Sequence, residues 1–170
     1  MVQKSSFLSV LGVFFVEPTS ILFIKEISKR IDLAPPSVRN SIKELLRLNL
    51  IKKKNSKPFD GFIANRENED FIFYKRVYNL YSLKELSNSL VSEYYPRLLA
   101  VFGSYSIGED VESSDIDIFI LSKTKNEINL EKFEKKLKRK INIMMVDNFE
   151  KIDAPLKKKI FNGIVLHGGF

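Results

Sequence analysis

Residues 98–121 constrain this chain more than any other stretch. They read LLAVFGSYSIGEDVESSDIDIFIL, two short apolar runs around a polar connection that opens with Gly103 and Ser104. Runs this short, and this rich in branched and aromatic residues, predict strands at about 98–102 and 115–121. The residues at about 105–111 predict a short helix between them. Residues two apart on a strand point to the same side, so Asp115 and Asp117 present their carboxylates on one face. Two like charges held close are costly unless a cation or a proton lies between them. A divalent ion with a preference for hard oxygen ligands, magnesium or manganese, meets that need. Gly103 lets backbone approach a phosphate closely, Ser104 offers a hydroxyl, and a helix N-terminus behind them adds partial positive charge. Phosphates on one side and metal-binding carboxylates on the other suit the transfer of a phosphorus-centred group.

Composition narrows the chemistry further. The chain has no cysteine and a single histidine, His167. Thiolate nucleophiles, disulfides and cysteine-based zinc sites are excluded, and so is a histidine-rich metal site. A metal here rests mostly on carboxylates.

The rest of the C-terminal half supplies more elements. A helix is predicted at about 129–139, a strand at 140–146 (KINIMMV), a helix within 148–162, and a closing strand in GIVLHG. With these in place, residues 103–117 resemble the GS…G…SD-D motif of minimal nucleotidyltransferases in the DNA polymerase beta superfamily. Gly103, Ser104, Gly108, Ser114, Asp115 and Asp117 match at the family spacing, and the resemblance covers about residues 83–168. It implies a mixed sheet flanked by helices and a magnesium-dependent site for a nucleoside triphosphate. Asp115 and Asp117 would be its catalytic and metal-binding residues. Gly103, Ser104, Gly108 and Ser114 would be its nucleotide-binding residues.

Two positions depart from the family pattern. The family usually has an arginine where Ile107 stands. Its third carboxylate lies on the next strand, where this chain has Asn142. An amide oxygen can ligate a metal, so Asn142 counts with Asp115 and Asp117 as an expected metal ligand, but it brings no charge and cannot serve as a base. The basic cluster Lys135, Lys136, Lys138, Arg139 and Lys140 reads as a solvated face.

The first 65 residues look different. They hold 11 Lys and Arg against 5 Asp and Glu, which accounts for nearly all of the chain's net charge of +7. Such asymmetry suggests a module that faces a polyanion. Apolar spacing predicts helices at 5–16, 21–31 and about 37–48, the last with Pro35 and Pro36 in its first turn. Strand-like pieces at about 50–54 and 61–64 follow, around a turn-rich NSKPFDG. Three helices and a basic hairpin resemble a winged helix-turn-helix. That resemblance implies that Arg39, Asn40, Lys43 and Arg47 face a DNA major groove, and that Lys52, Lys53, Lys54 and Lys57 on the hairpin touch phosphates.

Between the halves, Phe71, Tyr74, Tyr78 and Tyr81 recur at helical spacing and read as a packing seam. Ser82 and Glu85 form a capping-box pattern that predicts a new helix from about Leu83.

The chain therefore reads as α+β: a winged helix-turn-helix domain at 1–65, a helical connector at 66–82 and a nucleotidyltransferase-like domain at 83–170. Two functions stay open. One is transfer of a nucleotidyl group, AMP foremost, from NTP-magnesium to a protein acceptor, as antitoxins of the family do to a partner toxin. The other is a DNA-binding transcriptional regulator whose degenerate transferase domain senses nucleotide or forms a homodimer. The partners implied are a nucleoside triphosphate, double-stranded DNA, a partner toxin protein and a second copy of the chain. No apolar run reaches the ~18 residues of a membrane span, and the expected location is the cytoplasm.

Overall fold

The computed structural model describes residues 5–55, 59–124, 126 and 128–169. Lys57 lies outside the described residues. The chain divides into two compact units, Met1–Lys75 and Arg76–Phe170.

The first unit opens with three helices, α1 (Ser6–Val16), α2 (Ile24–Ile31) and α3 (Pro35–Arg47). In α1, Val10, Leu11, Phe14 and Phe15 are buried, spaced so that they share one face. In α3, Val38, Ser41, Ile42 and Leu45 make the buried face, and Pro35 and Pro36 sit in the first turn, where a missing N–H costs least. Helix α2 starts later than its apolar spacing predicts. Leu22 instead forms an antiparallel bridge with Phe62, each backbone N–H donating to the other's carbonyl at 2.8 and 2.9 Å. A backbone partner in the tertiary structure outweighs helix propensity there. Strands β1 (Ile51–Lys54) and β2 (Gly61–Ala64) pair antiparallel, with Ile51 opposite Ala64 and Lys54 opposite Gly61.

Helix α4 (Glu69–Ser82) carries the chain from the first unit into the second. Phe71 is buried and its ring lies 5.2 Å from that of Phe15, but Tyr74 is 47% and Tyr81 78% exposed. The aromatic series is thus a seam only in part. The expected capping box is absent too. Ser82 Oγ donates to Asn79 O at 2.6 Å and pairs with the Tyr105 hydroxyl at 2.8 Å, and Glu85 pairs with Lys136. The N-cap of α5 (Lys84–Tyr94) is Leu83, in a helical conformation with no side-chain cap.

The second unit is a four-stranded mixed sheet in the order β5-β4-β3-β6. Its strands are β3 (Leu98–Phe102), β4 (Ile116–Leu121), β5 (Ile141–Val146) and β6 (Ile164–Gly168). β3 runs antiparallel to both β4 and β6, and β4 runs parallel to β5. Alternation sorts the side chains onto two faces. Leu99, Val101, Ile116, Ile118 and Ile120 pack with Leu86 and Leu90 of α5 and with Phe133 of α7 (Glu131–Leu137). Leu98, Ala100, Phe102, Phe119 and Leu121 pack with Ile160 of α8 (Ala154–Phe161). Because both faces are covered, β3 and most of β4 are apolar without interruption. No described helix is long and apolar enough to cross a membrane.

Candidate active site

The site grows from the end of β3. Gly103 follows Phe102 at φ 72° and ψ −163°, a conformation open essentially to glycine alone. A Cβ at this position would lie 2.7 Å from Asp117 Oδ2, so the carboxylate sits directly over the glycine. Helix α6 (Ser104–Ile107) is a single turn, ended by Gly108 at φ 80°. It stops short of the expected residue 111, and one turn has little dipole to offer a phosphate. Ser106 Oγ donates to Gly103 O at 2.8 Å and fixes the turn from within.

The chain returns to the sheet through Ser114, whose Oγ accepts from Val111 N at 2.9 Å. This sequence-predicted nucleotide-binding hydroxyl thus serves its own turn. Asp115 precedes β4 and Asp117 lies on it, opposite Phe102 of β3. On the other side, the parallel register sets Asp117 beside Asn142 of β5. Asn142 Nδ2 donates to Asp115 Oδ2 at 3.1 Å and to Asp117 Oδ1 at 3.3 Å. The two carboxylates therefore converge on one point, where an amide donor offsets part of their repulsion. Gly103, Asp115, Asp117 and Asn142 come together at the ends of three adjacent strands, and Ser104 follows Gly103 as the first residue of α6. Ile107 is 39% exposed and supplies no charge.

Hard oxygen donors fit a magnesium or manganese ion, but among the described residues no three acidic, histidine or cysteine side chains cluster to hold one. Two carboxylates suit an ion that shares its coordination with phosphates and water, as magnesium does, rather than one enclosed by protein. Asn142 turns its Nδ2 donor to them, so its amide would have to flip to offer an oxygen.

Three residues that matter here escape sequence reasoning. Asp110 is 1% exposed and Asn79 2%. Asn79 Nδ2 donates to Asp110 Oδ1 at 2.7 Å and to Tyr105 O at 2.9 Å. Arg139, read from sequence as part of a solvated face, is buried, with Nη2 3.5 Å from Asp110 Oδ2. Helix α7 ends at Leu137, and Lys138 takes a left-handed φ of 54°, which turns the next residue off the helix face and inward. No local pattern signals a pair 29 residues apart. Burial in this setting pushes the Tyr105 phenol up to about 12.

In the first unit, Arg39, Asn40, Lys43 and Arg47 are all exposed on the side of α3 away from its buried residues. Arg47 lies 3.7 Å from Glu44. On the hairpin, Lys54 is exposed, Lys53 pairs with Asp60 at 2.6 Å, and Lys52 pairs with Glu67, holding that carboxyl below its usual range.

A strand-end glycine beneath two convergent carboxylates, on a mixed sheet flanked by helices, defines a protein of the nucleotide-handling α+β class. Residues 83–167, half of the chain, match the family model of the nucleotidyltransferase domain, and the chain belongs to that family. No curated protein and no solved structure matches it.

Proposed function

We propose that this protein binds NTP-magnesium at Asp115 and Asp117 and transfers a nucleotidyl group, AMP foremost, to a hydroxyl of a protein acceptor, in the manner of an antitoxin acting on its toxin. The observation that carries the reading is the convergence of Asp115, Asp117 and Asn142, with Asp117 over Gly103. The acceptor oxygen forms a bond to the α-phosphorus as the bond to the β-phosphate breaks, and pyrophosphate leaves with that electron pair. Magnesium, when bound, neutralises the triphosphate and the charge that develops. Asp115 and Asp117 would hold that ion, and Gly103 lets backbone approach the phosphates closely. Asn142 is not a base, so the acceptor proton passes to Asp117 or to water.

The first unit, on this proposal, is a winged helix that binds double-stranded DNA. Three helices, a hairpin and the Leu22–Phe62 bridge at its edge support it, as do the exposed Arg39, Asn40, Lys43 and Arg47. The hairpin lysines would add affinity without sequence information. The protein is then cytoplasmic, with the domain boundary near the 1–65, 66–82 and 83–170 division.

Calorimetry with magnesium-ATP tests the site. The wild type should bind, and Asp115→Ala/Asp117→Ala should not. Equal binding by both, or none by the wild type, sinks the reading. Label from α-labelled ATP should also reach a protein acceptor in the wild type alone.

Asn142 favours a second reading, a regulator whose transferase domain senses nucleotide or dimerises without turnover. Asn142→Asp decides between them. A third carboxylate should tighten magnesium binding in either case. If transfer is present in the wild type, the enzyme reading holds. If it appears only in the Asp variant, the natural chain is the sensor.

A further inference from the structure

Asp110 and Arg139 form a buried ion pair that the chemistry above does not use. Burying such a pair is weak evidence of stabilisation, since well-packed apolar residues of similar volume often do as well or better. What an apolar cluster would lack is direction. Asn79 comes from α4, Asp110 from the loop after α6, and Arg139 from the residues that lead into β5. Asp110 and Arg139 lie on pieces of backbone that end in the carboxylate site, and Asn79 reaches Asp110 from the helix.

The loop 104–114 starts at the Gly103 turn beneath Asp117 and ends at Asp115. Asn79 ties it at two points, Tyr105 O and the Asp110 carboxylate, and the Ser82–Tyr105 hydroxyl contact adds a third. Arg139 takes the other Asp110 oxygen, and its Nη1 donates to Lys138 O at 3.0 Å. The next residue, Lys140, accepts from Ile116 N at 2.8 Å, and β5 then runs through Ile141 to Asn142. One buried carboxylate thus holds both the loop that delivers Asp115 and the strand entry that delivers Asn142.

We propose that Asp110, Asn79 and Arg139 are positioning residues. They touch no ligand, and they set the distance between Asp115, Asp117 and Asn142 through loop 104–114 and the start of β5. This role rests on the reading of that site as a nucleotide site. Buried side chains that hold one another and nearby backbone by hydrogen bonds favour one arrangement, whereas a loop held by packing alone can settle in several.

The test compares Asp110→Asn, Asp110→Asn/Arg139→Met and Asn79→Ala in the full chain. Three measurements apply: the thermal midpoint without ligand, amide hydrogen exchange across 104–116, and magnesium-ATP affinity by calorimetry. Asp110→Asn removes the negative charge beside Arg139 and should lower the midpoint, speed exchange in 104–114 and weaken magnesium-ATP binding at least tenfold. The double variant removes both charges and should recover the midpoint while affinity stays at least tenfold down. Asn79→Ala, which keeps the ion pair, should show the same split if Asp110→Asn does not fold. Affinity that returns with stability in the double variant overturns the positioning role, as does unchanged exchange in 104–114. Magnesium-ATP binding by the wild type that these variants leave within twofold refutes this role alone. A wild type that binds no magnesium-ATP refutes the functional reading and this role with it.

Discussion

The two units of this chain place their ion pairs differently. The first sets Lys52 with Glu67, Lys53 with Asp60 and Arg47 with Glu44 in solvent, and buries the cation Lys75. The second takes an acid and a base inside, at Asp110 and Arg139, and holds two further carboxylates in a fixed relation above a glycine. Exposed pairs contribute little to stability. The proposed role of the first unit rests on many exposed cations, so the loss of one weakens it without abolishing it. That of the second depends on strand register, in which a shift of one residue would turn Asp117 to the other face.

The largest expected effect follows from that contrast. Gly103→Ala adds one methyl group and should disable the second unit. Its backbone region costs a residue with a Cβ about 1–3 kcal/mol, and the new atom would overlap Asp117 Oδ2. The thermal midpoint should fall and magnesium-ATP binding should vanish, while DNA binding persists. A variant that still binds magnesium-ATP at wild-type affinity would show that the carboxylates need no such fixed seat.

The first unit should respond more gradually. Arg39→Ala/Lys43→Ala should weaken binding to double-stranded DNA by about 1–3 kcal/mol for each base-reading contact removed. Lys52→Ala should instead lower the slope of log affinity against log salt by about 1. Neither change should alter magnesium-ATP affinity. Fluorescence anisotropy over a salt series reads both effects, and failure of the wild type to bind DNA at low salt removes this half of the comparison.

The same contrast explains what the sequence made legible. Helix α3 and strand β3 were readable because local periodicity reports burial, at Val38, Ile42 and Leu45 and across LLAVF. Asn142 was singled out because the family motif carries strand order with it, and the parallel register sets it beside Asp117. What failed was decided by distant partners. Leu22 left its helix for Phe62, Ser82 gave its hydroxyl to Asn79 and Tyr105 rather than to a cap, and Arg139 went inside to meet Asp110. Residue type and spacing along the chain hold no record of such encounters. Tyr81 errs the other way, since helical spacing says which residues share a face but not whether anything covers it.

The smallest expected effect tests whether the interior of the second unit behaves as its burial implies. Tyr105 is 5% exposed and its phenol is pushed up to about 12, chiefly by desolvation. In the unfolded chain a tyrosine titrates near 10. The folded value is the higher, so the contribution to stability is complete below pH 10 and is lost as pH rises from there through about 12. A shift of this size corresponds to roughly 2–3 kcal/mol at the upper end of that window. Burial raises Tyr78 in the same direction, so its share of the alkaline loss remains in any Tyr105 variant. Tyr105→Phe gives up the hydroxyl contact with Ser82, about 1 kcal/mol near neutrality, and should flatten the decline above pH 10. Absorbance of tyrosinate should show late-titrating groups among the six tyrosines of the wild type, and one fewer in the variant. An alkaline limb of unchanged steepness in Tyr105→Phe would mean that this phenol is wetter than its packing allows. The contrast between exposed ion pairs in the first unit and a buried one in the second would then rest on Asp110 and Arg139 alone.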